Sequence, residues 1–131
     1  MVTCWLLGTV WVVPCLGACK DHASSPAEIA DEGWHAHALV ISAGEAAKSC
    51  AAAGPAMQAM FAAHRGAFIA AFQLDRDKAR MQEATDFLEA HQDRYGDLET
   101  RMEALADRCA GDPTVQAAFR QMELPEAPET P

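Results

Sequence analysis

Nine residues, Met81, Ala84, Leu88, His91, Tyr95, Leu98, Met102, Leu105 and Cys109, recur at spacings that alternate between three and four without a slip. On an α-helix such a set forms one stripe; on a strand it scatters over both faces. A stripe of that length has to be covered by other helices, because an uncovered apolar face costs the chain its main source of stability. The register runs straight across Gly96, so a single long helix is expected here. Composition agrees with helix throughout: alanine dominates, and β-branched residues are scarce after Ile41.

The rest of the chain supplies the partners. Ser25, Pro26 and Glu28 read as N-cap, first helical residue and third-position acid of a helix start. A first helix is expected over about 26–50, with a small-residue seam of Ile29, Gly33, Ala36, Val40, Ala43, Ala47 and Cys50 that lets a neighbour approach closely. Gly54-Pro55 reads as a stop and restart. A second helix over about 56–73 then presents Met57, Met60, Phe61, His64, Phe68, Ala71 and Phe72 on one face. The boundary at 74–77 holds an N-cap candidate but no Gly or Pro, so a continuous helix stays open there. Gly111-Asp112-Pro113 is a second stop and restart, and a last helix covers about 113–123. Residues 124–131 hold three prolines and two glutamates and read as a disordered tail.

Residues 50–61 and 109–119 echo each other: Cys, a Gly/Pro turn, then Gln-Ala-x-Phe. The fold expected from these elements is all-α, a small up-down-up-down bundle of two helical hairpins over residues 26–123. In that topology Cys50 and Cys109 lie at the same end. Length opposes the arrangement, since the third helix exceeds the second by roughly a dozen residues, or ~20 Å. A loose connection over 74–80 or a kink near Gly96 would have to absorb the excess.

Before these helices stands an uncharged apolar run, residues 5–18, which ends at Leu16-Gly17-Ala18-Cys19. It is too short for a membrane span, which needs about 20 apolar residues, and Lys20, Asp21 and His22 end it. It has the length of a secretory h-region with a small-residue cleavage site. The tetrapeptide resembles the lipobox of bacterial lipoproteins. That resemblance implies that residues 1–18 are a signal peptide, that Cys19 carries lipid of the palmitate type, and that residues 19–25 are a tether. It places the protein in the cell envelope, membrane-anchored and facing the periplasm or the cell surface. Lys20 follows the cysteine where some bacteria set an inner-membrane retention aspartate, which favours the outer membrane.

The formal charge of −9 falls entirely after residue 18, because the first eighteen residues contain no Asp, Glu, Lys or Arg. So acidic a surface repels phosphate backbones, which argues against nucleic-acid binding. Of five cysteines, Cys4 and Cys15 lie in the signal region. Cys50 and Cys109 are then expected to form one disulfide in an oxidising compartment.

Candidate chemistry is thin. His35 and His37 point ~200° apart on a helix and make a poor metal pair. Met60, His64 and His91 would approach one another if the second and third helices formed a tight hairpin; a Met/His cluster in a bundle suits copper, zinc or non-covalent haem. Met57, Met60, Met81, Met102 and Met122 read as core filler. No His-Glu-x-x-His, Gly-x-Ser-x-Gly or phosphate-binding glycine loop is present. The expectation is therefore a protein-binding or structural module without enzymatic activity and without a cofactor, the metal or haem site being the alternative.

Overall fold

The computed structural model describes residues 24–127, and the expected signal peptide, Cys19 and the last four residues lie outside them. Within those residues the chain is an all-α bundle with no strand. Helix α1 is Pro26–Ala46, α2 is Cys50–Gln73, and a 3-10 turn, Leu74–Arg76, leads into α3, Lys78–Ala90. A short α4, Gln92–Tyr95, is followed by α5, Leu98–Arg108, and α6, Pro113–Glu123.

Each start has a chemical cause. At α1, Ser25 Oγ accepts from the Glu28 amide and the Glu28 carboxylate accepts from the Ser25 amide, a closed capping box. Asp77 caps α3 by accepting from the amides of Ala79 and Arg80. Asp112 does the same for α6 through Thr114 and Val115, with Pro113 at the first helical position.

The expected up-down-up-down order is observed. Side chains mark both ends: Cys50 is joined to Cys109 at one, while Glu126 accepts from Gln73 and pairs with Arg76 at the other. At that second end Arg80 also reaches the Ser24 carbonyl. Helix α1 packs against α2 on one side and against α3 and α5 on the other, while α6 packs against α2. The main core gathers Ala36, Val40, Ile41, Met57, Phe61, Phe68, Leu98, Leu105, Val115, Ala118 and Met122. A smaller cluster of Ala30, Leu74 and Ala84 closes the end where the chain enters.

Four expectations are corrected. The first helix stops at Ala46, and Cys50 opens α2, with Ser49 capping it through the Ala52 amide. Gly54-Pro55 is therefore no turn but lies inside α2. Gly54 is there for clearance: a Cβ on it would stand 2.0 Å from Thr114 Oγ1 and 2.7 Å from the Thr114 carbonyl carbon. The long stripe from Met81 to Cys109 belongs to three helices, broken at His91 and again at Gly96, whose φ of +57° lies in the left-handed region. Those breaks take up the excess length, and the stripe survives because Ala84, Tyr95, Leu98, Leu105 and Cys109 are all buried. Met81 is the exception, more than a third exposed.

The α1 seam is also wider than expected. Ala30, Gly33, Ala36, Val40, Ile41 and Gly44 are buried, whereas Ile29, Ala43 and Ala47 are only half-buried, because this helix has neighbours on two sides. The tail begins in order: Pro125 is buried and Glu126 is bonded back to α2 and the 3-10 turn.

Candidate binding groove

No polar or charged residue is buried in the core among the described residues, so chemistry-bearing groups lie on surfaces and in clefts. Three clefts adjoin one another, and Trp34 lines all of them. The largest, about 620 Å³, is walled by Thr85, Leu88, Glu89, Gln92, Asp93, Tyr95, Gly96 and Glu99. The second, about 300 Å³, runs from Trp34 over His37, Leu98 and Glu99 to Met102. The third, about 140 Å³, lies toward Ala30, Ala71, Leu74, Met81 and Leu88. Together they form a groove between α1 and the interrupted stretch α3–α5, in the volume range of ligand sites.

The interruptions create it. The chain leaves helical geometry at His91 and again at Gly96 and Asp97, and the residues around those breaks wall the largest cleft. The floor is held rigidly. Trp34 and Tyr95 pack with ring centroids 5.0 Å apart, and the Tyr95 hydroxyl donates to Asp31 Oδ1 at 2.8 Å. Burial and, after it, the Asp31 carboxylate push the Tyr95 phenol above its usual value, which keeps the proton on that donor. His37 packs on Phe68 at 4.5 Å, and its Nδ1 donates to the Gly33 carbonyl at 2.8 Å. Burial pushes its imidazole below the ordinary value while that carbonyl pulls the other way, so the ring is neutral near pH 7.

The rim is acidic. Glu89, Asp93 and Glu99 line the largest cleft, no Lys or Arg lines any of the three, and the three carboxylates make no hydrogen bond or ion pair with the described residues. The nearby cations are engaged: Arg101 binds Glu45 through two nitrogens and Ser42 at 3.0 Å, and Arg94 acts on the Tyr95 hydroxyl.

The residues singled out from sequence fall elsewhere. Met60 packs against the main core, and His64 sits where α2 leaves helical geometry, at φ −118° and ψ 16°. His91 packs on Phe87 at 4.4 Å with Nδ1 bonded to the Phe87 carbonyl, and Phe87 packs on the smaller cluster. The tight hairpin that would unite Met60, His64 and His91 is replaced by packing of α3 on α1. Among the described residues no group of three or more His, Cys, Asp or Glu is arranged to hold a metal. His35 is exposed and pairs with Asp31 on its own helix, as its polar-face position implies. Cys50 and Cys109 are joined, with Cα atoms 5.5 Å apart. No described helix is long and apolar enough to cross a membrane.

The pattern in the sequence singles out no role for Trp34. Trp34, half-buried against the main core, carries the groove, but the cleft beside it depends on helix breaks that the stripe conceals. Compared with known protein families, curated proteins and solved structures, the chain matches none.

Proposed function

We propose that this protein is a lipid-anchored module of the bacterial envelope that works by binding another protein. The lipobox at Leu16-Gly17-Ala18-Cys19 supports the anchor. The observation that carries the binding role is the Trp34 groove, an aromatic floor with an unpaired acidic rim on a bundle whose core is otherwise filled. Contacts on the Trp34 floor would contribute part of the binding energy, and the rim would steer and orient the partner. Binding without turnover is proposed, because no nucleophile, base and orienting group converge in the groove.

Two measurements test this reading. The membrane-extracted protein should have a mass that lacks residues 1–18 and carries acyl chains, and Cys19→Ala should abolish both; an unprocessed or unacylated chain refutes the anchor. A photo-crosslinking residue at Thr85, inside the groove, should yield one discrete heavier species in intact cells. The same residue at Ala62, on the exposed side of α2, should not. Equal labelling at both positions, or none at Thr85, refutes binding through this surface.

A further inference from the structure

We propose that the groove receives a basic amphipathic segment of the partner, with apolar side chains on Trp34, Leu88 and Met102 and Lys or Arg against Glu89, Asp93 and Glu99. This rests on the protein-binding reading above and adds the chemistry of what is bound.

Three observations select this occupant. The first is charge: three carboxylates without partners line a groove that contains no cation of its own, on a chain of net charge −9. An anionic ligand would meet repulsion along the whole rim, whereas Lys and Arg would replace water at carboxylates that have nothing else to bind. The second is the floor. Trp34 is the best of the aromatic platforms for a cation, and the half-buried Leu88 and Met102 around it accept aliphatic stems and side chains. A purely polar basic ligand would leave that apolar surface wet. The third is extent. The lining runs from Met81 in α3 to Met102 in α5. On the α1 side it runs from Ala30 to His37, about two helical turns or roughly 10 Å, so a partner helix needs only a few turns to span it. A small amine would fill one cleft and leave the other two. A helix with apolar positions at i, i+3, i+4 and i+7 and basic residues beside them matches all three features.

The test uses the full chain with Trp5→Phe and Trp11→Phe, so that Trp34 is the sole tryptophan emitter, in a neutral detergent. The probe is a synthetic Leu/Lys amphipathic peptide of about 20 residues, and its counterpart has Glu in place of every Lys. The Lys peptide should shift Trp34 emission saturably, and more weakly at high salt. Glu89→Gln, Asp93→Asn and Glu99→Gln together should weaken it about fivefold, from three surface pairs worth a few tenths of a kcal/mol each. Asp75→Asn, Asp107→Asn and Glu123→Gln remove the same charge at residues that line none of the three clefts and should leave the affinity unchanged. Both sets are exposed, and unchanged far-UV dichroism confirms that each variant is folded.

Equal weakening by the two sets would mean diffuse charge attraction and overturns the proposal. So does equal binding of the Glu peptide, or a Trp34 shift produced by self-association that the Lys peptide does not displace. A specific crosslink at Thr85 combined with no response to the Lys peptide would leave the protein-binding role standing and remove the basic occupant.

Discussion

Two glycines of α2 should respond in opposite directions to the same substitution. In a helix interior Ala is favoured over Gly by about 0.8–1.0 kcal/mol. At Gly66 an added methyl meets nothing within 4 Å, so Gly66→Ala should gain close to that full amount and raise the Tm by about 5 °C. At Gly54 the same methyl would lie 2.0, 2.5 and 2.7 Å from Thr114 Oγ1, Cβ and carbonyl carbon. The first two atoms belong to a side chain whose hydroxyl is bonded to Asp112, and the third is backbone in the first turn of α6. Rotation cannot clear it, so α6 has to move off α2. Overpacking of this kind costs about 1–3 kcal/mol or more; after the propensity gain, Gly54→Ala should lose about 2 kcal/mol and roughly 10 °C in Tm. Thr114→Ser keeps the three offending atoms and should rescue nothing. Thermal and urea unfolding followed by far-UV dichroism, with the disulfide intact, measures both variants. If Gly54→Ala stabilises as Gly66→Ala does, α2 and α6 do not cross at this point and the packing described for that end is wrong.

Cys50→Ser and Cys109→Ser should each cost about 4 kcal/mol on the chain-entropy view, since the bond joins residues 59 apart; the double variant should match the singles, and a covalent dimer on non-reducing mass analysis would contradict the intramolecular bond. Acid should destabilise the fold in two steps. The His37 imidazole is depressed from 6.5, so its contribution is full above that value and is lost as pH falls through its lower folded value. Glu45, held down by Arg101, and Asp112, held down by the Thr114 hydroxyl, contribute above their ordinary 4.5 and 3.8 and lose it as pH falls further. His37→Gln should flatten the urea midpoint from about pH 6.5 downward, and Glu45→Gln should flatten it only below about pH 4.5; a flat wild-type profile would refute both assignments. Tyr95→Phe removes the bond to Asp31 across the groove floor and should cost about 1 kcal/mol in urea unfolding.

The helical class, the topology and the crosslink were legible because each rests on a long-range regularity. The stripe from Met81 to Cys109 needed a bundle, and an up-down-up-down bundle brings the two cysteines to one end. Local punctuation was less faithful. Gly54-Pro55 follows the usual rule for a helix boundary, yet the helix runs through it: Pro55, the sixth residue of α2, gives up the bond its N–H would make to the Ala51 carbonyl, and Gly54 is small because Thr114 is against it. A periodicity reports which side chains face one way, not whether the backbone between them is continuous. The breaks at His91 and Gly96 were therefore hidden inside the clearest pattern in the chain, and the groove around Trp34 was hidden with them. Met60, His64 and His91 looked convergent only under a hairpin that α1, lying against α3, does not permit.

The two ends of the described chain emerge at the same end of the bundle, and the Cys50–Cys109 bond lies at the other. With the N-terminus anchored as proposed, this would set how the protein bears tension. A pull on both termini passes through α1, crosses the sulfur bridge and leaves through α6, so the residues between the two cysteines carry none of the load. Helix α1 would strip first from its Ser25 end, taking Trp34 and its side of the groove with it. The bridge would still join α2 to α5, but α1 packs between α2 and the α3–α5 stretch, so its loss uncovers both sides at once.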